Sequence, residues 1–404
     1  MKLHKNLIDA VVKSLQLIFN EGKYADKVIE KVLQSDKRWG ARDRAFIAEN
    51  TYEMVRWWRL IRFIAGYNQV KEEELTYESG WHLFGVWLLL SGEQLPSWKE
   101  FEEIDKEQVK HLSAHALHVR KIKESIPDWL DELGERELGK DWDKEILALN
   151  HAAPVVIRAN TLKTTRGRLA KQLAEIDIET FPVSGADDAL VLKKRTNLFT
   201  LPFFKEGLFE VQDASSQLVA AFLQVKPGMR VIDACAGAGG KTLHLAALMQ
   251  NKGRIISMDT EQWKLDELKR RGRRAGVNII ETKIIESSKT IKRLHDSADR
   301  LLLDVPCSGL GVLRRNPDAK WKLDMAFIDK VKKMQADILN AYSLLLKPGG
   351  LMVYATCSIL PSEDEEQVKS FLDKHPHFEK LEERRVSATE GFDGFYMALM
   401  KRNS

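Results

Sequence analysis

Two of the three cysteines lie in matching contexts, and the thiol is a side chain suited to covalent chemistry. Cys307 lies in the segment DVPCSG at 304–309 and Cys357 in YATCS at 354–358, each directly after an apolar run that predicts a buried strand. Ligands of open parallel sheets bind beyond the carboxyl ends of the strands, so the two thiols are predicted to face one pocket. A lone strand-end cysteine is more often a packed small residue, but Asp304 and the proline turn beside Cys307 favour chemistry.

The third cysteine, Cys235, lies in a glycine-rich segment, VIDACAGAGGKT at 231–242, which predicts a strand, a turn and a helix start. Glycine lets the backbone approach a ligand closely, and a helix N-terminus favours negative charge. A Walker A loop is excluded because position 235 is not glycine. The dinucleotide fingerprint fits poorly, because its third glycine position is Thr242.

An acidic residue follows the glycine-rich segment at a spacing typical of ribose recognition. Asp259 ends the next predicted strand, 20 residues after Gly239, and a carboxylate there can bind both hydroxyls of a ribose. The segment is therefore predicted to bind a nucleoside-bearing cofactor without requiring a pyrophosphate, and S-adenosylmethionine fits this description. The alternative is a turn with a purely structural role.

The elements that must position these residues alternate between strand and helix from residue 225 onward, which predicts a mostly parallel sheet with helices on both faces. Strands are predicted at 230–234, 254–259, 279–285, 300–304, 351–355 and 395–400. Helices are predicted at 241–249, at 262–275, at about 325–346 and from Pro361, where Ser362 and Glu365 have capping-box spacing. Asp213 or Ser215 is predicted to cap an earlier helix.

Two further regions precede this sheet. Apolar residues recur at spacings of three and four over residues 1 to about 135, which predicts an all-helical region. A small α/β unit follows, with strand patterns near residues 154–160, 180–183 and 189–192 and a helix near 166–176. The boundaries predict three domains, at 1–140, 150–210 and 211–404.

Length and composition agree with a folded protein of a reducing compartment. The chain has 404 residues, of which 44% are hydrophobic, and two or three domains are expected. Three cysteines form no disulfide framework, and no apolar run reaches the roughly 20 residues of a membrane span. We expect a cytoplasmic protein without a signal peptide, metal site, membrane association or obligate protein partner.

Local basic clusters say more about partners than the net charge of +4. Residues 264–274 hold six basic side chains, and a second group comprises Arg314, Arg315, Lys320 and Lys322. Both clusters suit a phosphate backbone, and a solvated helix face is the alternative for the first.

Together these segments resemble the Sun family of RNA (cytosine-5) methyltransferases, in particular the bacterial 16S ribosomal RNA methyltransferase B type. The resemblance rests on DACAGAGGKT at 233–242, LDVPCSG at 303–309, RRNPD at 314–318 and YATCS at 354–358. QDASSQ at 212–217 and DGFY at 393–396 match as well. It implies an α/β fold: a class I (Rossmann-like) methyltransferase domain at 211–404, a small RRM-like RNA-contacting domain at 150–210 and a NusB-like RNA-binding helical domain at 1–140.

The resemblance also implies residue roles. Cys357 would be the nucleophile, Cys307 would help to release the methylated product, and Asp304 would lie beside the cofactor and the target base. The residues implied to contact S-adenosylmethionine are Cys235, Ala236, Gly237, Ala238, Gly239, Gly240, Lys241, Asp259, Glu286 and Asp304, with Ser287 as the alternative to Glu286. For Cys235 we expect packing or cofactor contact without covalent chemistry.

The reaction that the resemblance implies explains why two thiols are present. C5 of cytosine is a poor nucleophile toward a methyl sulfonium, and attack of a thiolate at C6 pushes electron density onto C5. The C5 proton and the thiolate must then leave, and a second thiol or a water can assist. The base must be unstacked to reach such a pocket, and Asp304 can accept a hydrogen bond from its amino group.

The expected substrate class follows from the helical region, which resembles that of the ribosomal type, so ribosomal RNA is the expected partner. A tRNA substrate with the same chemistry is the first alternative. The second is an RNA-binding assembly factor that has lost activity, supported only by Gly237-Ala238, where the family usually has Ala-Pro, and by the unclear acid at Glu286. The presence of Cys307, Cys357 and Asp304 argues against it.

Overall fold

The computed structural model describes residues 3–67 and 74–404. The helices of the described residues are α1 (Lys5–Phe19), α2 (Ala25–Ser35), α3 (Ala41–Arg56), α4 (Trp58–Ile64), α5 (Tyr77–Leu90), α6 (Lys106–Ala116), α7 (Arg120–Lys123), α8 (Asp128–Leu138), α9 (Trp142–Leu149), α10 (Arg166–Ala174), α11 (Pro202–Lys205), α12 (Ala214–Phe222), α13 (Gly240–Leu248), α14 (Gln262–Ala275), α15 (Ser288–Lys292), α16 (Ala319–Lys322), α17 (Met325–Tyr342) and α18 (Glu365–Lys374). In this described part, no helix is both long enough and apolar enough to cross a bilayer.

The strands are β1 (Val156–Ala159), β2 (Thr180–Val183), β3 (Ala186–Leu192), β4 (Phe209–Val211), β5 (Arg230–Asp233), β6 (Arg254–Asp259), β7 (Ile280–Ile284), β8 (Ala298–Asp304), β9 (Leu346–Thr356), β10 (Phe378–Val386) and β11 (Phe395–Arg402). The chain divides into two compact units. The first comprises Met1–Asn150 with Leu313–Asp324, and the second comprises His151–Val312 with Met325–Ser404.

The first unit is helical, in agreement with the apolar spacing of its sequence. In α1, Leu7, Val11 and Leu15 follow one another at every fourth position and are almost completely buried. Residues four apart lie on one face of a helix, so these side chains form a continuous apolar stripe. The stripe packs into the same core as buried residues of α3 and α5, such as Ile47 and Phe84.

The segment 313–324 is distant in sequence from the other helical residues but packs among them. The Asp318 carboxylate accepts a hydrogen bond from the Ala25 N–H (2.9 Å), and the Trp321 indole N–H donates to the Val55 carbonyl (2.7 Å). Lys320 is only 1% exposed and donates to the Asn150 side chain (3.2 Å). Arg314 is also buried. The sequence-based prediction of a phosphate-binding group was therefore wrong for Arg314 and Lys320, which lie inside the helical unit.

The second unit begins with a small sheet in the strand order β2-β3-β1-β4, in which every pair is antiparallel. Its elements follow the chain order βαββαβ, with α10 and α11 as the helices. Ile157, Leu169 and Phe209 are fully buried in its core. This confirms the predicted small α/β domain, and the Asp213 side chain caps the next helix by accepting from the Ser215 N–H (2.9 Å).

The large sheet has seven strands in the order β10-β11-β9-β8-β5-β6-β7. The strands β9, β8, β5, β6 and β7 run parallel, and β11 runs antiparallel to both β9 and β10. Leu301, Leu302 and Leu303 of β8 are all 0% exposed, as expected for a central strand covered on both faces. The predicted mostly parallel, Rossmann-like sheet is confirmed.

Strand β10 has no counterpart among the predicted strands. Its sequence is FEKLEERRV, and every residue between Phe378 and Val386 is exposed. It lies at the edge of the sheet, where charged side chains protect the open backbone groups from pairing with another chain. Such a strand has no alternating apolar pattern, so the sequence carried no strand signal there.

The predicted capping box of Ser362 and Glu365 was wrong. The segment Pro361–Glu363 forms a 3-10 turn, and α18 begins only at Glu365 with Asp364 in the N-cap position. The turn is held because the Tyr354 hydroxyl of β9 donates to the carbonyl of Glu363 (2.6 Å). A tertiary hydrogen bond thus displaces the helix start that local spacing predicts.

Candidate active site

The two cysteines meet at the carboxyl ends of neighbouring parallel strands. Asp304, the last residue of β8, pairs with Ala355 of β9, so the turns after the two strands lie side by side. The Cys307 and Cys357 sulfur atoms are 3.3 Å apart, and both residues are half-buried. The structure thus brings the two predicted thiols together.

The Cys307 thiol is held in its protonated form. Its hydrogen bond with Cys357, its burial and the nearby negative charge of Glu363 raise its pKa well above the ordinary value of 9.0. Cys235 is not part of this pair, and burial likewise raises the pKa of its thiol well above 9.0. For Cys307 the hydrogen bond with Cys357 is the largest cause, whereas for Cys235 it is the cost of placing a negative charge where water cannot solvate it.

Asp304 forms an ion pair with Lys241 of α13. The Lys241 ammonium group donates to Asp304 Oδ2 at 2.6 Å and lies 4.9 Å from the centre of the Phe395 ring. Burial opposes the charge of Lys241, but the Asp304 carboxylate outweighs it and raises the lysine pKa above its ordinary value of 10.5. The site therefore contains a fixed cation and a fixed carboxylate beside the thiols.

The glycine-rich segment is a tight turn between β5 and α13. Gly237 and Gly239 have positive φ angles of 53° and 86°, which glycine adopts without strain. A Cβ atom at Gly239 would lie 2.5 Å from Leu268 Cγ, so no larger residue fits there without movement. The Gly237 N–H donates to Asp259 Oδ2 (2.9 Å), which places the acid at the end of β6 directly against the turn.

The turn is supported by buried charged residues, which comprise two acids and three arginines. Arg271 and Arg158 donate to the carbonyls of Ala238 and Gly240, each at 2.7 Å. Glu210 of β4, only 3% exposed, accepts hydrogen bonds from Arg271 (3.0 Å) and from Arg274. The prediction that these two arginines belong to a phosphate-binding or solvated cluster was therefore wrong, because they face Glu210.

The second acid is Asp233, at the end of β5. It is 1% exposed and accepts a hydrogen bond from the Thr242 hydroxyl (2.6 Å), while its Oδ1 atom has no hydrogen-bond partner among the described residues. Burial raises the pKa of Asp233 from 3.8 to about 7. The carboxyl group resists ionisation because the cost of burial exceeds the stabilisation by the Thr242 hydrogen bond and the Lys241 charge.

A cavity of about 360 Å³ lies beyond the end of β7 and is lined mainly by apolar side chains of α15 and α17. Ile285, Ser287 and Tyr342 contribute to its lining. The Ile285 N–H donates to the Asp259 carbonyl (2.9 Å), so the cavity lies next to the end of β6. Glu286 is exposed and does not belong to the lining, whereas Ser287 does.

The residues at this sheet edge fit a nucleoside-bearing cofactor. The positive-φ glycines allow close approach, Asp259 lies against the turn where a carboxylate can bind ribose hydroxyls, and the cavity beside Ile285 has an apolar surface that can accept a base. Within residues 3–67 and 74–404, no group of three or more His, Cys, Asp or Glu side chains is arranged to hold a metal ion.

The sequence reasoning did not identify Glu363, which lies behind both cysteine turns. It is fully buried and accepts hydrogen bonds from Ser308 and Ser358, the residues that directly follow Cys307 and Cys357. The repeated Cys-Ser pair was a usable signal, since two similar turns with equivalent hydroxyl groups predict a shared partner. Nothing in the sequence identified which residue that partner is.

Two family models match the chain. Residues 220–400 match the model described as 16S rRNA methyltransferase RsmB/F. Residues 126–198 match the model of the ferredoxin-like domain of RsmF/B-like methyltransferases.

Curated relatives extend the similarity over most of the chain. A probable ribosomal RNA small subunit methyltransferase B of Synechocystis is 41% identical over 256 residues, which are 62% of this chain and 57% of that protein. The probable enzyme of the same name from Bacillus subtilis is 32% identical over 338 residues, covering 79% of this chain and 73% of the relative. The chain thus spans less than two thirds of the first of these proteins.

Among solved structures, NSun6 from Pyrococcus horikoshii, crystallised with SFG, superimposes with a TM-score of 0.64. The superposition covers 70% of this chain and 99% of that protein, at 21% sequence identity. At this identity the likeness concerns the fold.

Proposed function

The chain belongs to the RsmB/F family of 16S rRNA methyltransferases, and from that premise we propose that it methylates C5 of a cytosine in 16S ribosomal RNA with S-adenosylmethionine as the methyl donor. The observation that carries this proposal is the pair of thiols 3.3 Å apart beside the Asp304–Lys241 ion pair. A methyltransferase acting on a nitrogen or oxygen atom needs no cysteine nucleophile, whereas C5 methylation uses one thiol for attack and gives a second a role in release.

In this proposal Cys357 is the nucleophile. Its sulfur forms a bond to C6 of the cytosine, and the electron pair of the C5–C6 double bond moves toward C5. S-adenosylmethionine, held along the segment from Cys235 to Lys241, would supply an electrophilic methyl group to C5, and its sulfonium sulfur would keep the electron pair of the S–CH₃ bond. A water molecule then takes up the C5 proton, the electron pair of the C5–H bond restores the C5–C6 double bond, and the Cys357 sulfur leaves C6 with the electron pair of the C6–S bond as a thiolate.

Asp304 and Lys241 orient the target base. A carboxylate at Asp304 can accept a hydrogen bond from the exocyclic amino group of cytosine, a group that uracil lacks. The Lys241 ammonium, 2.6 Å from the carboxylate, fixes its direction and keeps its oxygens in place. This pairing gives the pocket a preference for cytosine.

Cys307 assists release in this proposal. Its thiol lies 3.3 Å from the Cys357 sulfur and retains its proton because its pKa is raised. It is thus a group close enough to act at the C5–C6 bond once the adduct has formed. Without it, the covalent intermediate is expected to accumulate.

The cofactor is proposed to bind along the segment from Cys235 to Lys241, with its ribose at Asp259. The Asp259 carboxylate accepts from the Gly237 N–H through Oδ2 and from the Glu261 N–H through Oδ1, and each oxygen has a second lone pair that can accept from a ribose hydroxyl. The apolar cavity beside Ile285 is the proposed adenine surface, with Ser287 rather than Glu286 at its edge because only Ser287 contributes to the lining. NSun6, which shares the fold, was crystallised with SFG.

The remaining regions are proposed to contact the RNA in the cytoplasm. These regions are the helical domain at 1–140 and the small domain at 150–210. The proposed catalytic domain comprises residues 211–404. The similarity to ribosomal RNA methyltransferases supports ribosomal RNA over tRNA.

The test is bisulfite sequencing of total RNA from cells with the gene, without it, and without it but carrying the Cys357→Ala variant. We expect one cytosine of 16S ribosomal RNA to resist conversion only when the wild-type protein is present. Loss of protection at a tRNA cytosine instead would replace the ribosomal substrate. Identical conversion in all three strains would reject the proposed activity.

A further inference from the structure

The carboxylate of Glu363 lies at the junction of the two cysteine turns and receives four hydrogen bonds. Its Oε2 atom accepts from the Ser308 N–H (2.8 Å) and from the Gln335 amide (2.9 Å). Its Oε1 atom accepts from the hydroxyl groups of Ser308 and Ser358, the latter at 2.7 Å. Glu363 is 0% exposed, so these bonds replace the water that a carboxylate normally requires.

The two serines make the turns after β8 and β9 structurally equivalent. The Ser308 hydroxyl accepts from the Leu310 N–H (3.3 Å), and the Ser358 hydroxyl accepts from the Leu360 N–H (3.1 Å). The two hydroxyl oxygens are 3.3 Å apart, the same separation as the two sulfur atoms one residue earlier. Each serine hydroxyl therefore closes its own turn and donates a hydrogen bond to the shared carboxylate.

Glu363 is itself fixed to the sheet. It ends the 3-10 turn Pro361–Glu363, and its carbonyl accepts from the Tyr354 hydroxyl of β9 at 2.6 Å. The Gln335 amide of α17 donates both to Glu363 and to the Pro306 carbonyl (3.0 Å), which lies next to Cys307. A rigid acceptor connected to both turns can transmit its position to both thiols.

We propose that Glu363 is a positioning residue for the two thiols: by accepting both serine hydroxyls, it holds the turns after β8 and β9 together and sets the separation of Cys307 and Cys357. Its carboxylate contacts the serines and not the sulfur atoms, so it acts through the turns. The consequence for catalysis rests on the proposed function, because attack and release at one cytosine require both sulfurs within reach of the same bond.

The charge of Glu363 has a second effect, on Cys307. Besides the hydrogen bond with Cys357 and burial, the Glu363 carboxylate contributes to the raised pKa of the Cys307 thiol. Removing the charge is therefore expected to lower this pKa, whereas removing the hydrogen bonds is expected to separate the turns. Two variants at one position can distinguish these effects.

Glu363→Gln removes the charge but retains most of the bridge. Its amide oxygen can replace Oε2 as the acceptor for Ser308 N–H and Gln335, and its amide nitrogen can donate to the two serine hydroxyls. Glu363→Ala removes the bridge altogether. Glu366→Gln, an exposed glutamate in the same region, serves as the control for a loss of charge alone.

The separation of the thiols is measured as the rate of Cys307–Cys357 disulfide formation with diamide, which takes up the two thiol hydrogens. Peptide mass spectrometry identifies the disulfide. Because two or more hydrogen bonds between the turns are lost, we expect Glu363→Ala to form it about tenfold more slowly than the wild type. Glu363→Gln and Glu366→Gln are expected to stay within about threefold.

The charge is measured as the pH dependence of Cys307 alkylation by iodoacetamide. Lowering the pKa of Cys307 produces thiolate at lower pH, so the alkylation profile is expected to move to lower pH in Glu363→Gln and to stay in place in Glu366→Gln. A purely structural role of Glu363 would leave this profile unchanged in the well-folded Gln variant.

An unchanged disulfide rate in folded Glu363→Ala would overturn the proposal. If that variant does not fold, Ser308→Ala and Ser358→Ala each remove one arm of the bridge, and wild-type rates in both would overturn it as well. Neither measurement needs RNA or cofactor. Slow disulfide formation in Glu363→Ala, together with a wild-type protein that fails to methylate RNA, would support the positioning role while rejecting the proposed function.

Discussion

At the scale of single residues, the two thiols differ in what surrounds them although they end equivalent strands. The Cys307 thiol faces both its hydrogen-bond partner Cys357 and the charge of Glu363, and its pKa is raised. A thiol that keeps its proton is a poor nucleophile, since the thiolate is the attacking form. Attack by Cys357 and release by Cys307 are the roles given in the proposed function, and two single variants test them separately.

Cys357→Ala is expected to abolish methyl transfer, with a loss of at least about 10³-fold in rate, because no other group can form the bond to C6. Binding of S-adenosylmethionine, measured by calorimetry, is expected to persist because the glycine turn is untouched. Transfer at the wild-type rate in this variant would show that Cys357 is not the nucleophile.

Cys307→Ala is expected to trap the covalent protein–RNA adduct, because attack by Cys357 remains while release is impaired. The adduct is detected as a slow-migrating, RNase-sensitive species on a denaturing gel. The Cys307→Ala/Cys357→Ala double variant is the control and should show no such species. Absence of the adduct in the single variant would count against the release role.

Asp233→Asn tests the buried carboxyl group. The native pKa of about 7 exceeds the ordinary value of 3.8, so the folded protein holds this proton at pH values where the unfolded chain has lost it. Its contribution to the free energy of unfolding therefore falls as the pH rises through this window, by about 4 kcal/mol at most. Because asparagine does not ionise, the free energy of unfolding of Asp233→Asn does not fall in this way as the pH rises.

The measurement compares urea unfolding at about pH 5 and about pH 8, which lie on either side of the raised pKa. Relative to the wild type, Asp233→Asn should become more stable at the higher pH. Asp266→Asn, an exposed position on α14, controls for loss of a carboxylate. Equal pH dependence in all three proteins would contradict the raised pKa.

At the scale of elements, the glycine turn between β5 and α13 depends on its packing as well as on its φ angles. Arg158 and Arg271 donate hydrogen bonds to its carbonyl groups, and Glu210 accepts from Arg271. Arg158 and Glu210 belong to the small sheet, so the small domain contributes directly to the conformation of the proposed cofactor turn. Backbone groups positioned in this way do not need to reorganise when a ligand binds.

Gly239→Ala is expected to be more destabilising than Gly391→Ala, although both glycines have positive φ angles, 86° and 95°. At Gly391 a Cβ meets nothing within 4 Å, so only backbone strain of about 1 kcal/mol is expected. At Gly239 the added Cβ also collides with Leu268, which adds about 1–3 kcal/mol. Denaturant unfolding measures the free energy of unfolding of both variants, and equal losses would show that Leu268 moves aside without an energetic cost.

At the scale of the whole molecule, the chain after Cys307 returns to the helical unit. The segment 313–324 supplies Asp318, Lys320 and Trp321 to the interior of the helical unit. Asp318 comes almost 170 residues after Leu149, where α9 ends. The helical unit is therefore completed by a segment that directly follows the Cys307 turn. The stability of the helical unit therefore depends on residues that an isolated N-terminal domain would lack.

Trp321→Ala is expected to destabilise the helical unit by about 3 kcal/mol, because the indole packs against the helical core and donates to the Val55 carbonyl. Hydrogen exchange should rise in α3, which carries that carbonyl. Trp263→Ala, whose side chain is 64% exposed, is the control and should change stability by less than about 0.5 kcal/mol. Unchanged exchange in α3 would contradict the anchoring role of Trp321.

Local sequence patterns were sufficient to predict most of the fold. The apolar runs that predict the parallel strands, the glycine turn and the acid at Asp259 are local signals, because burial on both faces and positive φ angles constrain neighbouring residues. Strand β10 was missed because an exposed edge strand with a charged sequence carries no such signal. The start of α18 was missed because a hydrogen bond from Tyr354 determines it.

By itself, the sequence determined that two cysteines, an aspartate and a glycine turn lie at the carboxyl edge of one sheet, because the parallel strands that it predicts all end at that edge. The order of the strands, which decides which of these ends are neighbours, came from the structure. Only the tertiary structure decided what surrounds them. The burial of Arg314 and Lys320, the pairing of Arg271 and Arg274 with Glu210, and the bridge through Glu363 join residues far apart in the chain. Such contacts depend on which surfaces meet after folding, and a charged residue has the same local pattern whether it meets solvent or a buried partner.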